Sequence, residues 1–318
     1  MIDVFSFVLY ILMLFFIGSK IKKKDKLYSS GFYKLIIFNG VLNLIFIAEE
    51  YISFIIPQAG FFEHFYINNF SKYLISGKCY TYSMAQGIFI SLSGITITLN
   101  RYIAIKYPTK YNYFWSGWRL ILLCTWPVII AVSFFINFYN VEVEYVLTYH
   151  GSITVHYKNL YISKLIYQIT ISIHSIALCI NILLNSILVY TIKHSNIIQT
   201  INNNVKKREM KLEVTMAKFA IVYCTFFAIV LCAEIGMVIT ITNKVFNVAE
   251  HLLTLFVLLE TVMVFFTPYT LLYLNCDFRQ KFFIFIRCYK LWFFGNKKKI
   301  FVTAIKIPKN VLKSKVFI

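Results

Sequence analysis

Ten residues, Leu99-Asn100-Arg101-Tyr102-Ile103-Ala104-Ile105-Lys106-Tyr107-Pro108, place an arginine where a long apolar run gives way to a basic one. A guanidinium at the edge of hydrocarbon is costly unless its stem snorkels or its head pairs. Glu209 and Glu213, at the start of a later apolar run, are acids that would accept it bidentately and tie two segments together. A simple helix-end anchor is the opposing reading. Four more carboxylates, Glu49, Glu50, Glu234 and Glu260, stand inside apolar runs. Intramembrane carboxylates are expensive and face a bundle interior or water. They point to an acidic shelf lining a cavity, with Tyr82, Phe89 and His174 as aromatic or polar walls, suited to a cationic or hydrogen-bond-donating small molecule. Separate carboxylates, some protonated and bonded to neighbouring helices, are the competing arrangement. His64, His150, His156 and His251 lack compact ligand spacing, so no metal site is expected. There is no nucleophile–base constellation, phosphate-binding glycine loop or cofactor motif, which argues against an enzyme and against a bound cofactor.

The elements that must position these groups are membrane helices. Of 318 residues 59% are hydrophobic and 14% charged, and the mean hydropathy is +0.70. One soluble core cannot bury that much apolar surface. Contiguous runs of about 20 apolar residues each cross a hydrocarbon layer of about 30 Å, and in lipid such runs satisfy their backbone only as helices. Seven spans are expected near 2–18, 34–56, 79–104, 118–138, 164–192, 212–241 and 252–275: an all-α membrane protein, a single bundle over 1–275 followed by 276–318. The first run resembles a signal peptide in length, but it has no basic residues before it and no small-residue cleavage site after Phe16. It reads as a retained helix.

The net charge of +19 suggests nucleic acid only until its distribution is considered. Lys20, Lys22, Lys23, Lys24, Lys26, Lys106, Lys110, Lys206, Lys207, Arg208 and the lysine-rich tail fall on one side of the expected membrane. The other side keeps Lys72, Lys78, Lys158, Lys164 and Lys244. This is the positive-inside bias, with the N-terminus outside and the C-terminus cytoplasmic; the tail also suits anionic lipids. No nucleic-acid partner is expected. The Asn69-Phe70-Ser71 sequon then lies in an outer loop, open to glycosylation at Asn69. Cys79 has no second outer cysteine to pair with, so no outer disulfide is expected. After span 7, Phe278, Phe282 and Phe285 recur at i, i+4 and i+7 while Arg279, Gln280 and Arg287 lie off that stripe. The pattern is a short amphipathic helix over 277–289 in the inner interface. Cys276 and Cys288 flank it, as palmitoylation sites or as inert interfacial thiols.

Asn100-Arg101-Tyr102, Ala104-Ile105 and Pro108 resemble the junction that ends the third helix of rhodopsin-type G-protein-coupled receptors. Thr267-Pro268-Tyr269 followed by Asn275-Cys276-Asp277-Phe278-Arg279 resembles the same receptors' seventh-helix proline segment running into an eighth helix. The wording SGITITLNRYIAIKYPTKY is similar to nematode serpentine chemoreceptors, in particular the superfamily holding class gamma and class V, where asparagine commonly precedes the arginine. The resemblance implies a plasma-membrane receptor that binds a small molecule between its outer helix halves and activates a heterotrimeric G protein. Arg101, with Asn100, Tyr102, Pro108, Glu209, Glu213, Pro268, Tyr273 and Phe278, would carry the switch, and Tyr190 would meet Arg101 in the open state. The sequence departs from the rhodopsin pattern in several places. Asn100 replaces an acid, span 6 lacks a tryptophan–proline pair, and Leu271 takes the place of a tyrosine, with Tyr269 and Tyr273 nearby. A seven-helix transporter or ligand-gated channel, with the carboxylates as a cation path, is the alternative, as is a receptor-like protein that no longer couples. The lack of similarity between halves weighs against a transporter.

Overall fold

The computed structural model describes residues 2–25, 27–147, 153–194, 204–243 and 245–294; the side chains of 192–221 and of residues beyond 287 lie outside that description. Among the described residues, seven helices are long and apolar enough to cross a membrane. They are α1 Ile2–Lys22, α2 Gly31–Glu50, α3 Leu74–Lys106, α4 Gly117–Phe138, α5 Leu160–His194, α6 Asn204–Thr242 and α7 Phe246–Leu274. An eighth, α8 Cys276–Phe294, follows at once. The longest of them extend past the apolar runs because polar ends leave the hydrocarbon while still helical. The central position belongs to α3, which is buried along most of its length and packs against α2, α4 and α5.

Beyond Glu50, α2 widens into a π-turn at Tyr51–Ile55 before the short helical piece Ile56–Gln58. Pro57 explains the irregularity: it has no N–H to donate, and its ring crowds the carbonyl of residue 53. The carbonyls released there are used elsewhere. Ser53 O accepts the Tyr145 hydroxyl at 3.2 Å, and Ile52 O accepts the Tyr66 hydroxyl at 2.6 Å.

Tyr145 belongs to an element absent from the all-α expectation. The connection between α4 and α5 folds into an antiparallel pair, β1 Val143–Leu147 and β2 Ile153–Tyr157, in register Val143 to Tyr157 and Tyr145 to Val155. Alternation decides what each face meets. Val143, Tyr145, Ile153, Val155 and Tyr157 are buried against the bundle, while Glu144 and His156 pair at 2.8 Å in solvent. The pair closes one end of the bundle, the hairpin end. There the Tyr157 ring meets Tyr80 edge-on at 4.6 Å, and Gly77 is required because a Cβ would collide with the Val141 carbonyl.

At the opposite end, which carries Arg101, α8 turns back under α1. Its stripe differs from a membrane-facing one: Phe278 and Phe282 are fully buried, with ring centroids 5.3 and 5.7 Å from Phe16. Tyr28 closes the cluster, edge-on to Phe16 at 5.5 Å. Burial, then the charges of Asp25 and Asp277, push its phenol up to about 12. Among the described side chains of α8, Phe283 and Ile284 are the exposed large apolar ones.

Tyr145→Phe leaves the Ser53 carbonyl without its buried donor. It is expected to destabilise the protein by about 1–3 kcal/mol, read as a lower Tm in detergent. Glu144→Gln, on the solvent face of the same strand, is expected to change stability by about 0–1 kcal/mol. Equal effects from the two would contradict the asymmetry of the hairpin.

Candidate functional site

Two polar regions occupy the bundle, one in each half. In the half nearer the hairpin, α5 and α6 are joined by His174 Nδ1 and Glu234 Oε2, 2.8 Å apart, with side chains 3% and 1% exposed. Glu260 comes across from α7 and passes close to α3 at Gly87: a Cβ there would stand 2.8 Å from Glu260 Oε1, so the carboxylate would have to shift, and 3.9 Å from His174 Nε2. Glu260 lies within electrostatic reach of Glu50, Glu234 and Glu49. Glu50 is buried, 3.4 Å through either oxygen from the Thr261 hydroxyl of α7. Glu49 accepts the Ser53 hydroxyl at 2.5 Å one turn along its own helix.

The four acids therefore do gather inside one half of the bundle, where Glu234, Glu50 and Glu49 each meet a partner side chain. Beside Glu260 and His174 lies a space of about 10 Å³, bordered also by Gly87 and Ser91, which is the room one water needs. The expected walls also separate: Tyr82 and Phe89 share a face of α3 turned roughly 140–200° from Gly87. Phe89 is core, and Tyr82 sits by Glu49.

At the other end, Asn100 is 2% exposed and engages a residue that the sequence did not single out. Its Nδ2 donates to the Tyr111 hydroxyl oxygen at 3.1 Å, and that oxygen also accepts the Phe32 N–H at 3.2 Å. Tyr111 belongs to the α3–α4 connection, so Asn100 fastens that connection to the start of α2. Trp115 completes the attachment, packed so tightly on Gly31 that a Cβ there would stand 2.6 Å from Trp115 Cβ. A carboxamide suits this position because it can donate to the phenol as well as accept from it; a carboxylate only accepts.

Arg101 is half-buried and lines a cavity that also touches α2, α5 and α7. Tyr190 is 62% exposed on α5 and Tyr273 is 71% exposed on α7, and neither lines that cavity. Tyr269 instead reaches α1, 2.7 Å from the Ser6 hydroxyl. Tyr102 and Tyr107 both stack under Lys106, 5.3 and 5.6 Å from its ammonium. Pro108 begins the single 3₁₀ turn after α3. Pro268 lies within α7, and Phe278 anchors α8 on Phe16 and Tyr33. Glu209 and Glu213 fall on the first turns of α6, and their side chains lie outside the described residues, as does that of Cys288. Cys276 is exposed at the start of α8, with Arg279 Nη2 3.4 Å from its sulfur. Asn69 is exposed in a turn at the hairpin end.

Sequence reasoning missed the polar residues that tie helices to one another: Asn43 to Tyr10 and Gln86 at 3.5 Å, Thr98 to Asn181 at 3.1 Å, and Trp126 to Thr96 at 3.0 Å. Their signal was present, since amides inside apolar runs demand partners as carboxylates do.

A single seven-helix bundle, one end closed by a hairpin and the other edged by Arg101 and α8, is the architecture of a multi-pass membrane receptor. The sequence matches the description of the serpentine type 7TM GPCR chemoreceptor Srv over residues 1–288. The chain belongs to that family, which is a family of chemoreceptors and not of enzymes. No curated protein matches it.

Removing one member of the His174–Glu234 pair strands the other in a dry interior. His174→Ala is expected to cost about 3–5 kcal/mol, whereas His174→Phe combined with Glu234→Leu recovers most of that loss. Thermal unfolding of the three proteins measures the coupling. Additive losses would contradict a direct pair.

Proposed function

We infer that this chemoreceptor binds a small cationic or hydrogen-bond-donating molecule among Glu50, Glu234, Glu260 and His174, and activates a heterotrimeric G protein through the Arg101 end. The observation that carries this reading is the placement of Asn100-Arg101-Tyr102 and of the Pro268–Phe278 corner at one end of a bundle whose buried acids lie in the other half. In this reading the Arg101 end faces the cytoplasm and the hairpin end faces outward, at the plasma membrane. Charge supports that orientation: Lys20, Lys22, Lys23, Lys24, Lys106, Lys110, Arg279 and Lys281 flank the Arg101 end, against Lys72, Lys78, Lys158 and Lys164 around the hairpin end.

The mechanism is a competition for carboxylates. A ligand cation takes Glu234 or Glu260, and its gain offsets the broken bond to His174. That bond ties α5 to α6, so ligand binding favours the conformations in which α6 is released. Because α6 is one unbroken helix from Asn204 to Thr242, a displacement at Glu234 is carried to its far end. There the release of α6 from Arg101, through Glu209 or Glu213, makes room for the G protein. Tyr190 then becomes the partner of Arg101. Cys276 is the acylation site that holds α8 to the inner leaflet.

The test is nucleotide exchange on G proteins by receptor in lipid vesicles, screened with small amines and neutral isosteres. Exchange is expected with amines. Glu234→Gln and Glu260→Gln are each expected to raise the half-maximal concentration at least about tenfold, a loss of about 1.4 kcal/mol of binding. Unchanged potency for every amine would remove the acids from the ligand site. Ligand-evoked current without exchange would instead make the protein a channel.

A further inference from the structure

Gly87 and Ser91 stand one turn apart on α3, and His174 from α5 and Glu260 from α7 border the same small space, of about 10 Å³. Room for one water is also room for one ammonium group, which is about the same size. The point that a Cβ on Gly87 would take lies 2.8 Å from Glu260 Oε1 and 3.9 Å from His174 Nε2. Because residue 87 has no side chain, a single small group can stand there and meet both.

The polar side-chain atoms around this point are acceptors. A carboxylate only accepts, so the 2.8 Å contact between Glu234 Oε2 and His174 Nδ1 puts the imidazole proton on Nδ1 and leaves Nε2 as an acceptor. That nitrogen belongs to a residue 2% exposed and has no hydrogen-bond partner. Ser91, 1% exposed, spends its hydroxyl proton on the Ile88 carbonyl at 2.8 Å, so its oxygen too can only accept. Glu260 supplies the third acceptor and the charge. The rest of the wall is apolar, Phe227, Val230 and Met263 among it.

An orphaned acceptor this deep indicates an occupant with a proton to give. Three acceptors and no side-chain donor choose among occupants. A water donates two protons and brings lone pairs that these groups cannot satisfy. An anion would meet only lone pairs. A primary ammonium donates three times, accepts nothing, and brings a positive charge among acids, since Glu50, Glu234 and Glu49 all act electrostatically on Glu260. A quaternary ammonium has the charge and no N–H.

We propose that this space is the seat of a ligand's primary ammonium group, which donates to Glu260, to His174 Nε2 and to Ser91 Oγ. The inference rests on the amine reading above and narrows it to one head group in one place. An ammonium bound there draws the imidazole toward Glu260 and away from Glu234, which loosens the tie between α5 and α6. Gly87 determines the specificity, because a Cβ would stand in the seat.

The test uses the full chain in lipid nanodiscs at fixed pH, with tetramethylammonium chloride exchanged stepwise for ammonium chloride at constant ionic strength. A saturable rise in Tm of about 2–4 °C is expected. Potassium, about the size of ammonium but without N–H, should give no such rise. Two variants should abolish the shift. Gly87→Ala puts a methyl group in the seat without removing a charge. His174→Asn keeps an amide N–H that can donate to Glu234 but lacks the Nε2 acceptor. The shift is read within each protein, so a lower starting Tm does not affect it. Equal Tm in ammonium and tetramethylammonium, a rise matched by potassium, or a shift kept in either variant would overturn the proposal. Amine potency that still depends on Glu234 and Glu260 after such a result removes the seat and keeps the acids as ligand groups.

Discussion

Lipid gives helices no hydrophobic reason to associate, because hydrocarbon chains are as apolar as leucine. What holds this bundle in one arrangement is the cost of leaving a polar group unpaired in that medium, combined with close packing. Most neighbouring helices share such a tie: Ser6 with Tyr269, Asn43 with Tyr10, Gln86 with Asn43, Trp126 with Thr96, Thr98 with Asn181, His174 with Glu234, and Thr261 with Glu50. Helix α3 is the hub, since its small residues at 87 and 94 let Glu260 and Tyr223 approach the backbone. Moving one tie changes what its neighbours can satisfy, which is how a bundle acquires a small number of discrete states.

The two ends are closed by different means. At the hairpin end a proline disturbs α2, and the released carbonyls become the docking points for tyrosines, so the irregular turn and the hairpin depend on each other. At the Arg101 end aromatic packing does the work: Phe16, Tyr28, Tyr33, Phe278 and Phe282 bury one another, with Lys20 and Lys281 lying over the outer rings at 5.7 and 5.5 Å. Asn100 and Tyr111 add a polar clasp beside it. The half that would receive a ligand is thus tied chiefly by buried acids and hydroxyls, and the half that would receive a protein by packing around a cavity.

The helices and the family were legible because both rest on signals local in sequence: contiguous apolar runs, and a few motif residues around Arg101 and Pro268. Glu50, Glu234 and Glu260 stand about seven or eight residues from the same-side ends of their expected spans, so their gathering at one depth was legible. Equal depth says nothing about azimuth, however, and azimuth turned Phe89 and Tyr82 away from Gly87, leaving Tyr82 beside Glu49, and set His174 against Glu234. The hairpin was visible as alternation in Val143-Glu144-Tyr145 and Ile153-Thr154-Val155-His156-Tyr157, but it lay within a stretch short enough to pass for a loop. Tyr111 was not legible at all, because its bond to Asn100 follows from how the α3–α4 connection folds back on Gly31. The orphaned Nε2 of His174 likewise acquires meaning only when Gly87 and Glu260 border the same space.

Taken together, the buried acids in one half and the guanidinium in the other make α6 the element able to connect them, since it carries Glu234 in one and begins near the other. Coupling between the two halves depends on Arg101. The decisive measurement is agonist-driven nucleotide exchange by wild type and Arg101→Ala at matched amounts in vesicles, with agonist binding measured on the same samples. Exchange lost while agonist binding is retained is the predicted result. Exchange by Arg101→Ala equal to that of wild type would contradict a coupling role for this end of α3.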